Sequence, residues 1–215
     1  MIKFFSVIRM YKNIISDFGT VLVHVKNEIM TAPWISDEAD RKLVGDVIFD
    51  RVYWSKLDDG TTNYAEIKAD YRSKLPERLW EAADNTLENW LYNLPFIDGM
   101  RELYTELQEK GCRLYLLSNI CKEFAEGYKN IPEIGEFLST FDGLVFSGPI
   151  HITKPSKEIF EYTLNKFSLK AEECIFIDDS PINIEGSEKA GIKGYLFDGD
   201  VEKLRKVLLS SASPR

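Results

Sequence analysis

Hydrophobic positions along the chain fall into two kinds of run. Short, nearly unbroken apolar stretches occur at 12–16 (KNIIS), 113–117 (RLYLL), 143–147 (GLVFS) and 174–178 (CIFID), with a weaker fifth at 193–197 (KGYLF). A strand with one wet face alternates between apolar and polar residues. Continuous hydrophobicity instead predicts strands covered on both faces, as in a parallel sheet. Between the later runs the period becomes helical. Met100, Leu103, Tyr104 and Leu107 form an i, i+3, i+4, i+7 stripe, and Gly111 supplies the stop. The stretch 155–169 is predicted to begin at a Ser156 cap and to bury Ile159, Phe160 and Leu164; a further helix ends at Gly191. Strand–helix alternation of this kind predicts an α/β fold with a doubly wound, parallel-sheet, Rossmann-like core.

The pattern breaks after the first strand. Residues 26–94 contain no convincing strand but several amphipathic helical stretches: 36–54, 63–75 with Asn63 and Glu66 spaced as a capping-box variant, and 76–94 with Pro76 at a first helical position. All four tryptophans, Trp34, Trp54, Trp80 and Trp90, fall in this segment, mostly as its own core. A crossover of this length is too long for an ordinary βα connection, so it is expected to be a small all-helical cap domain, with residues 1–25 and 95–215 as the core. Residues 1–9 are expected to be an extension outside the fold.

Composition narrows the function. With 44% hydrophobic residues the 215-residue chain can bury a core, which excludes wholesale disorder. A formal net charge of −8 argues against nucleic acid as a partner, since no general phosphate-neutralising surface is available. No apolar run approaches the length of a membrane span, the N-terminus lacks a signal-peptide pattern, and Cys112, Cys121 and Cys174 show no metal-like grouping. Buried thiols in a reducing compartment follow, and the expectation is a cytoplasmic protein, a monomer or small homo-oligomer.

In an open parallel sheet, ligands bind beyond the carboxyl ends of the strands. Asp17 follows the first apolar run, Ser118 and Asn119 the second, Lys154 lies a few residues past the third, and Asp178 and Asp179 end the fourth. Alone, each is an ordinary cap or turn residue. Together they converge on one crevice, with carboxylates for a hard cation and a hydroxyl, an amide and an ammonium for a phosphoryl group. Gly19 and Thr20 directly after Asp17 allow a tight turn that brings backbone N–H groups towards phosphoryl oxygens.

These motifs, in this order and spacing, resemble the haloacid dehalogenase superfamily, chiefly its phosphatases with a helical cap inserted after the first strand. The resemblance runs from residue 11 to about 209 and rests on IISDFGTVLV, LYLLSN, ITKPSKEIF and FIDDSPINIEGSEKAGI. It implies Asp17 as a nucleophile that forms an aspartyl-phosphate and also binds Mg²⁺. It implies Ser118 and the Asn119 backbone as holders of the phosphoryl oxygens, and Lys154 as the charge that neutralises nucleophile and phosphate. Asp179 and the Gly19 carbonyl are implied as further metal ligands, with Asp178 in support and Asn183 orienting Asp179 or Lys154.

One position departs from the pattern. Many phosphatases of the family carry a second Asp two residues after the nucleophile, which protonates the leaving group; here that position is Gly19. A general acid is typically worth about 10²–10⁴-fold in rate. His24 is the candidate substitute acid or substrate contact. The expected function is Mg²⁺-dependent hydrolysis of a small phosphorylated metabolite, sugar phosphates included. A metal-independent 2-haloacid dehalogenase and a non-catalytic protein that binds phosphate and Mg²⁺ are the alternatives.

Overall fold

The computed structural model describes residues 11–210; the expected N-terminal extension lies outside them. Strands β1 (Asn13–Ser16), β2 (Arg113–Ser118), β3 (Gly143–Phe146), β4 (Cys174–Asp178) and β5 (Lys193–Leu196) form one sheet in the order β3-β2-β1-β4-β5. All neighbouring pairs are parallel, with Ile15 opposite Tyr115 on one side and Phe176 on the other. The chain winds outwards from β1 to β3 and then returns to β4 on the other side. The order therefore reverses beside β1, where an open sheet leaves a crevice.

The helices are α1 (Asn27–Thr31), α2 (Glu38–Ile48), α3 (Arg51–Asp58), α4 (Tyr64–Tyr71), α5 (Trp80–Asn89), α6 (Met100–Glu109), α7 (Lys122–Gly127), α8 (Pro132–Ser139), α9 (Lys157–Phe167), α10 (Pro181–Lys189) and α11 (Val201–Ser210). Successive side chains of a strand point to opposite faces. Ile14, Leu114, Leu116, Ile175 and Ile177 thus share one apolar cluster with α6, α8 and α11. Ile15, Tyr115, Leu117, Val145 and Phe176 share another with α9. Both faces are covered, which is the reason the strands carry continuous apolar runs.

Among the described residues, 27–93 hold no strand. The chain leaves and re-enters the sheet region through a paired neck, where the His24 N–H donates to the Pro95 carbonyl at 2.9 Å and the Ile97 N–H to that of Leu22 at 2.9 Å. Val44, Ile48, Leu57, Ile67 and Leu87 of this helical segment join Phe18, Val21 and Leu22 in the same cluster that covers one face of the sheet. The segment therefore sits on the end of β1 through a continuous apolar junction. No helix among the described residues is long and apolar enough to cross a membrane.

Four local details differ from the sequence reading. The stretch 36–54 is two helices, because Asp50 leaves the helical conformation and its side chain accepts from the Val52 N–H at 2.7 Å, starting α3 afresh. Pro76 precedes a short 3₁₀ turn (Glu77–Leu79) instead of occupying a first α-helical position. Asn63 caps α4 through the Glu66 N–H at 3.1 Å, but the Glu66 carboxylate takes the Thr62 hydroxyl at 2.7 Å and does not return to Asn63. Ser156 precedes α9 with no side-chain capping bond, and its hydroxyl is buried without a partner. Trp54 and Trp90 pack edge-on with their rings 5.0 Å apart, whereas Trp34 is exposed.

Candidate active site

Asp17 stands at the end of β1, where its own N–H donates to the Ile177 carbonyl of β4 at 2.9 Å. Its Oδ1 accepts from the Phe18 N–H at 2.8 Å and from Lys154 Nζ at 2.8 Å. Phe18 itself points into the core, 1% exposed, with its ring 5.0 Å from Phe124. Burial is the main force on the Asp17 carboxyl; with the Asp178 charge it outweighs Lys154 and pushes the carboxyl up to about 7.

Lys154 is the hub. Its Nζ also donates to Asp178 Oδ2 at 2.7 Å, and its side chain is 1% exposed. Burial alone would lower this ammonium, but Asp17 and Asp178 more than offset it and hold it above the ordinary lysine value. Two hydrogen bonds from Asn119 fix the backbone beneath it. Asn119 Nδ2 donates to the Lys154 carbonyl at 2.9 Å, and Asn119 Oδ1 accepts from the Lys154 N–H at 2.8 Å. The side chain of Asn119 is thus committed to the lysine.

Asp178, fully buried at the end of β4, accepts from the Ser180 N–H at 2.8 Å and from Asn183 Nδ2 at 3.0 and 3.1 Å. With Lys154, those donors occupy both of its oxygens. Asn183 therefore orients Asp178 directly, and not Asp179 or Lys154 as expected. Asp179 is the solvent-accessible member of the cluster; the partial desolvation of its carboxyl, followed by the Asp178 charge, raises it. Oxygens of Asp17, Asp178 and Asp179 all lie within 4.8 Å of one another. With all three carboxylates ionised, they and one ammonium leave two negative charges, which suits a hard divalent cation with oxygen ligands.

The remaining expected residues separate. Ser118 is buried at the end of β2, where its carbonyl accepts from the Ser147 N–H at 3.1 Å. In the turn after Asp17 the left-handed residue is Thr20, at φ 61°, not Gly19. The Thr20 N–H donates to the Val23 carbonyl at 2.8 Å, so it is not the free donor anticipated there. A threonine in this conformation is strained, the kind of cost that concentrates at functional loops. His24 lines a cleft with Asp98, Asp200 and Glu202 that contains none of the strand-end residues. Among the described residues no hydrogen bond or ion pair joins its side chain to them.

The family model of the haloacid dehalogenase-like hydrolases matches residues 11–191. The chain belongs to this family. Within it, a D-ribitol-5-phosphate phosphatase from Bacteroides thetaiotaomicron is 26% identical over 193 residues, covering 86% of this chain and 91% of the relative. A HAD family enzyme from the same organism, solved with magnesium and inorganic phosphate, superposes with a TM-score of 0.68 at 20% identity, over 90% of this chain and 98% of that one. A dehalogenase solved with an intermediate complex superposes with a TM-score of 0.67 at 13% identity, over 86% and 83%. Fold alone thus fits both branches of the haloacid dehalogenase-like hydrolases, and the choice between them falls to the site residues.

Sequence reading of this hydrolase missed two residues near the site. Ser147, fully buried, donates to the Asp58 carbonyl at 2.5 Å and accepts from the Ile120 N–H at 2.9 Å. Asp58, the last residue of α3, is half-buried and acted on by the charges of Asp17 and Lys154. Neither carries a local signal. Both contacts join residues far apart in the chain, and only the fold brings them to the site.

Proposed function

We propose that the protein is a Mg²⁺-dependent phosphatase of a small phosphorylated metabolite, acting through an aspartyl-phosphate on Asp17. The observation that carries this reading is the lysine shared by Asp17 and Asp178 beside the exposed Asp179. A carboxylate repels a phosphate dianion, and it becomes a competent nucleophile only where positive charge is fixed beside it. Lys154 supplies one such charge at 2.8 Å from Asp17 Oδ1, already desolvated and needing no rearrangement during the reaction.

Asp17 and Asp179 would hold the cation, with the Gly19 carbonyl as a further ligand; Asp178 is saturated by its own donors and serves to position Lys154. When bound, Mg²⁺ neutralises phosphoryl oxygens and the developing charge. The Asp17 carboxylate then attacks phosphorus, the alcohol departs, and water later cleaves the acyl-phosphate to regenerate the carboxylate. Ser118 donates to a phosphoryl oxygen, and Asn119 keeps the lysine aimed. The helical segment 26–94 acts as a cap that selects the substrate and excludes water while the intermediate forms.

Three clustered carboxylates favour this reading over a metal-independent dehalogenase, because they repel one another unless a cation or protons intervene. A polyol or sugar phosphate, of the kind named for the Bacteroides relative, is the first substrate to try. The test is phosphate release from ribitol 5-phosphate, a sugar-phosphate panel and p-nitrophenyl phosphate, with Mg²⁺ or with chelator. Release that vanishes with chelator and in Asp17→Asn supports the phosphatase. A folded wild-type protein that is silent across the panel, or turnover that ignores the chelator, overturns it.

A further inference from the structure

Three contacts dock the end of α3 onto the loops that follow β2 and β3. Ser147 Oγ donates to the Asp58 carbonyl at 2.5 Å while holding the Ile120 N–H. His151 Nδ1 pairs with the Asp59 carbonyl at 2.9 Å. Gly60, at φ +71°, approaches the Gly148 carbonyl so closely that an added Cβ would stand 2.3 Å from its oxygen. Asp58 is therefore held by backbone contacts on a segment that belongs to the helical insertion but rests against the core.

The Asp58 carboxyl lies within electrostatic reach of a defined set of charges. Asp17, Lys154, the adjoining Asp59 and Arg51 of the same helix all act on it, and it acts in turn on the thiol of Cys121. It stands outside the cluster of Asp17, Asp178 and Asp179. Among the described residues it has no hydrogen-bond or ion-pair partner. Burial first, then the Asp17 charge, push it up to about 7. A half-buried acid with unpaired oxygens, carried on a segment docked against the loops after β2 and β3, is placed to exchange protons with something that enters the crevice there.

We propose that Asp58 is the general acid and base of the reaction, performing from the helical insertion the task for which the position two after Asp17 offers only Gly19. The assignment rests on the phosphatase reading. Asp17 attacks phosphorus, the bond from phosphorus to the leaving oxygen breaks, and the proton of the Asp58 carboxyl passes to that oxygen to release a neutral alcohol. The Asp58 carboxylate then takes a proton from the water that attacks the phosphorus of the aspartyl-phosphate. The bond to Asp17 breaks, phosphate leaves, and Asp58 ends protonated as it began. Because α3 must be docked for this, proton transfer is coupled to the seating of the insertion.

The experiment compares Asp58→Asn with wild type on an alkyl phosphate and on p-nitrophenyl phosphate, whose phenolate departs without a proton. For the alkyl substrate kcat/KM should fall by about 10²–10⁴-fold, and its loss of activity at high pH should disappear from the profile. With p-nitrophenyl phosphate the first turnover should survive as a burst of nitrophenol, followed by a slowed steady state as the aspartyl-phosphate accumulates. Asp58→Ser, a smaller side chain, should repeat the split. An equal loss of kcat/KM on both substrates, with no burst of nitrophenol, assigns Asp58 to substrate binding, and no loss on either assigns it no role; both overturn the proposal while leaving the phosphatase intact. Silence of the wild type overturns both.

Discussion

Asn119 grips Lys154 by its backbone, donating to the carbonyl and accepting from the N–H of the same residue at 2.9 and 2.8 Å. The lysine that joins the two buried acids is thereby fixed from the neighbouring strand end. Asn119→Asp removes the donor and leaves the Lys154 carbonyl unpaired, a loss of about 1–3 kcal/mol. If that positioning is expressed in the transition state, kcat falls roughly 10–100-fold. Steady-state kinetics beside a thermal melt check it. A lowered melting temperature with unchanged kcat would make the grip purely structural.

Lys154→Met leaves Asp17 and Asp178 buried without their shared cation. Removing one partner of a buried ion pair typically costs about 3–5 kcal/mol. The loss should be smaller at pH 5 than at pH 8, because Asp17, already raised by burial, can escape the penalty by taking a proton. Denaturant titrations at the two pH values measure it, and equal losses would contradict the charge argument.

The same reasoning sets the pH dependence of the wild type. Asp17 and Asp58 are both pushed from 3.8 up to about 7 in the folded protein. Between those limits the native state binds more protons than the unfolded chain, so stability contributed by these groups falls as pH rises from about 4 to about 7. Mg²⁺ competes with the proton on Asp17. Its stabilising effect in calorimetry should therefore be larger at pH 8 than at pH 5.5. A shift with Mg²⁺ that is independent of pH would place the ion elsewhere.

A packing contact reaches the same lysine from below. A Cβ at Gly186 of α10 would stand 2.4 Å from the Pro155 carbonyl oxygen and 2.9 Å from the Phe160 ring. Backbone cannot yield cheaply at such a distance, so Gly186→Ala should destabilise the fold by about 1–3 kcal/mol. It should also lower kcat, because the displaced loop carries Lys154. Unchanged stability would show that α10 can retreat without strain.

Much of this was legible from the chain because the core is built from local patterns. The strands start and stop within a residue of their apolar runs, and Asp17, Lys154, Asp178 and Asp179 meet because parallel strands bring their carboxyl ends together. What was not legible depends on contacts between distant segments. The helix break at Asp50 competes with an apolar period that continues across it, and only the cap bond to Val52 decides it. His24 is close to Asp17 in sequence but belongs to another cleft. Asp58 is 41 positions from Asp17 by numbering, yet it answers to that residue's charge through the docking of α3.

The chemistry proposed for this site turns on Asp17 carrying the phosphoryl group. Wild-type protein is mixed with substrate and Mg²⁺, quenched in acid within the first turnover, digested and mapped by mass spectrometry. A phosphoryl group is expected on the peptide containing Asp17, absent in Asp17→Asn and absent with chelator. Phosphate released with that peptide never labelled, or a label on another residue, would contradict it.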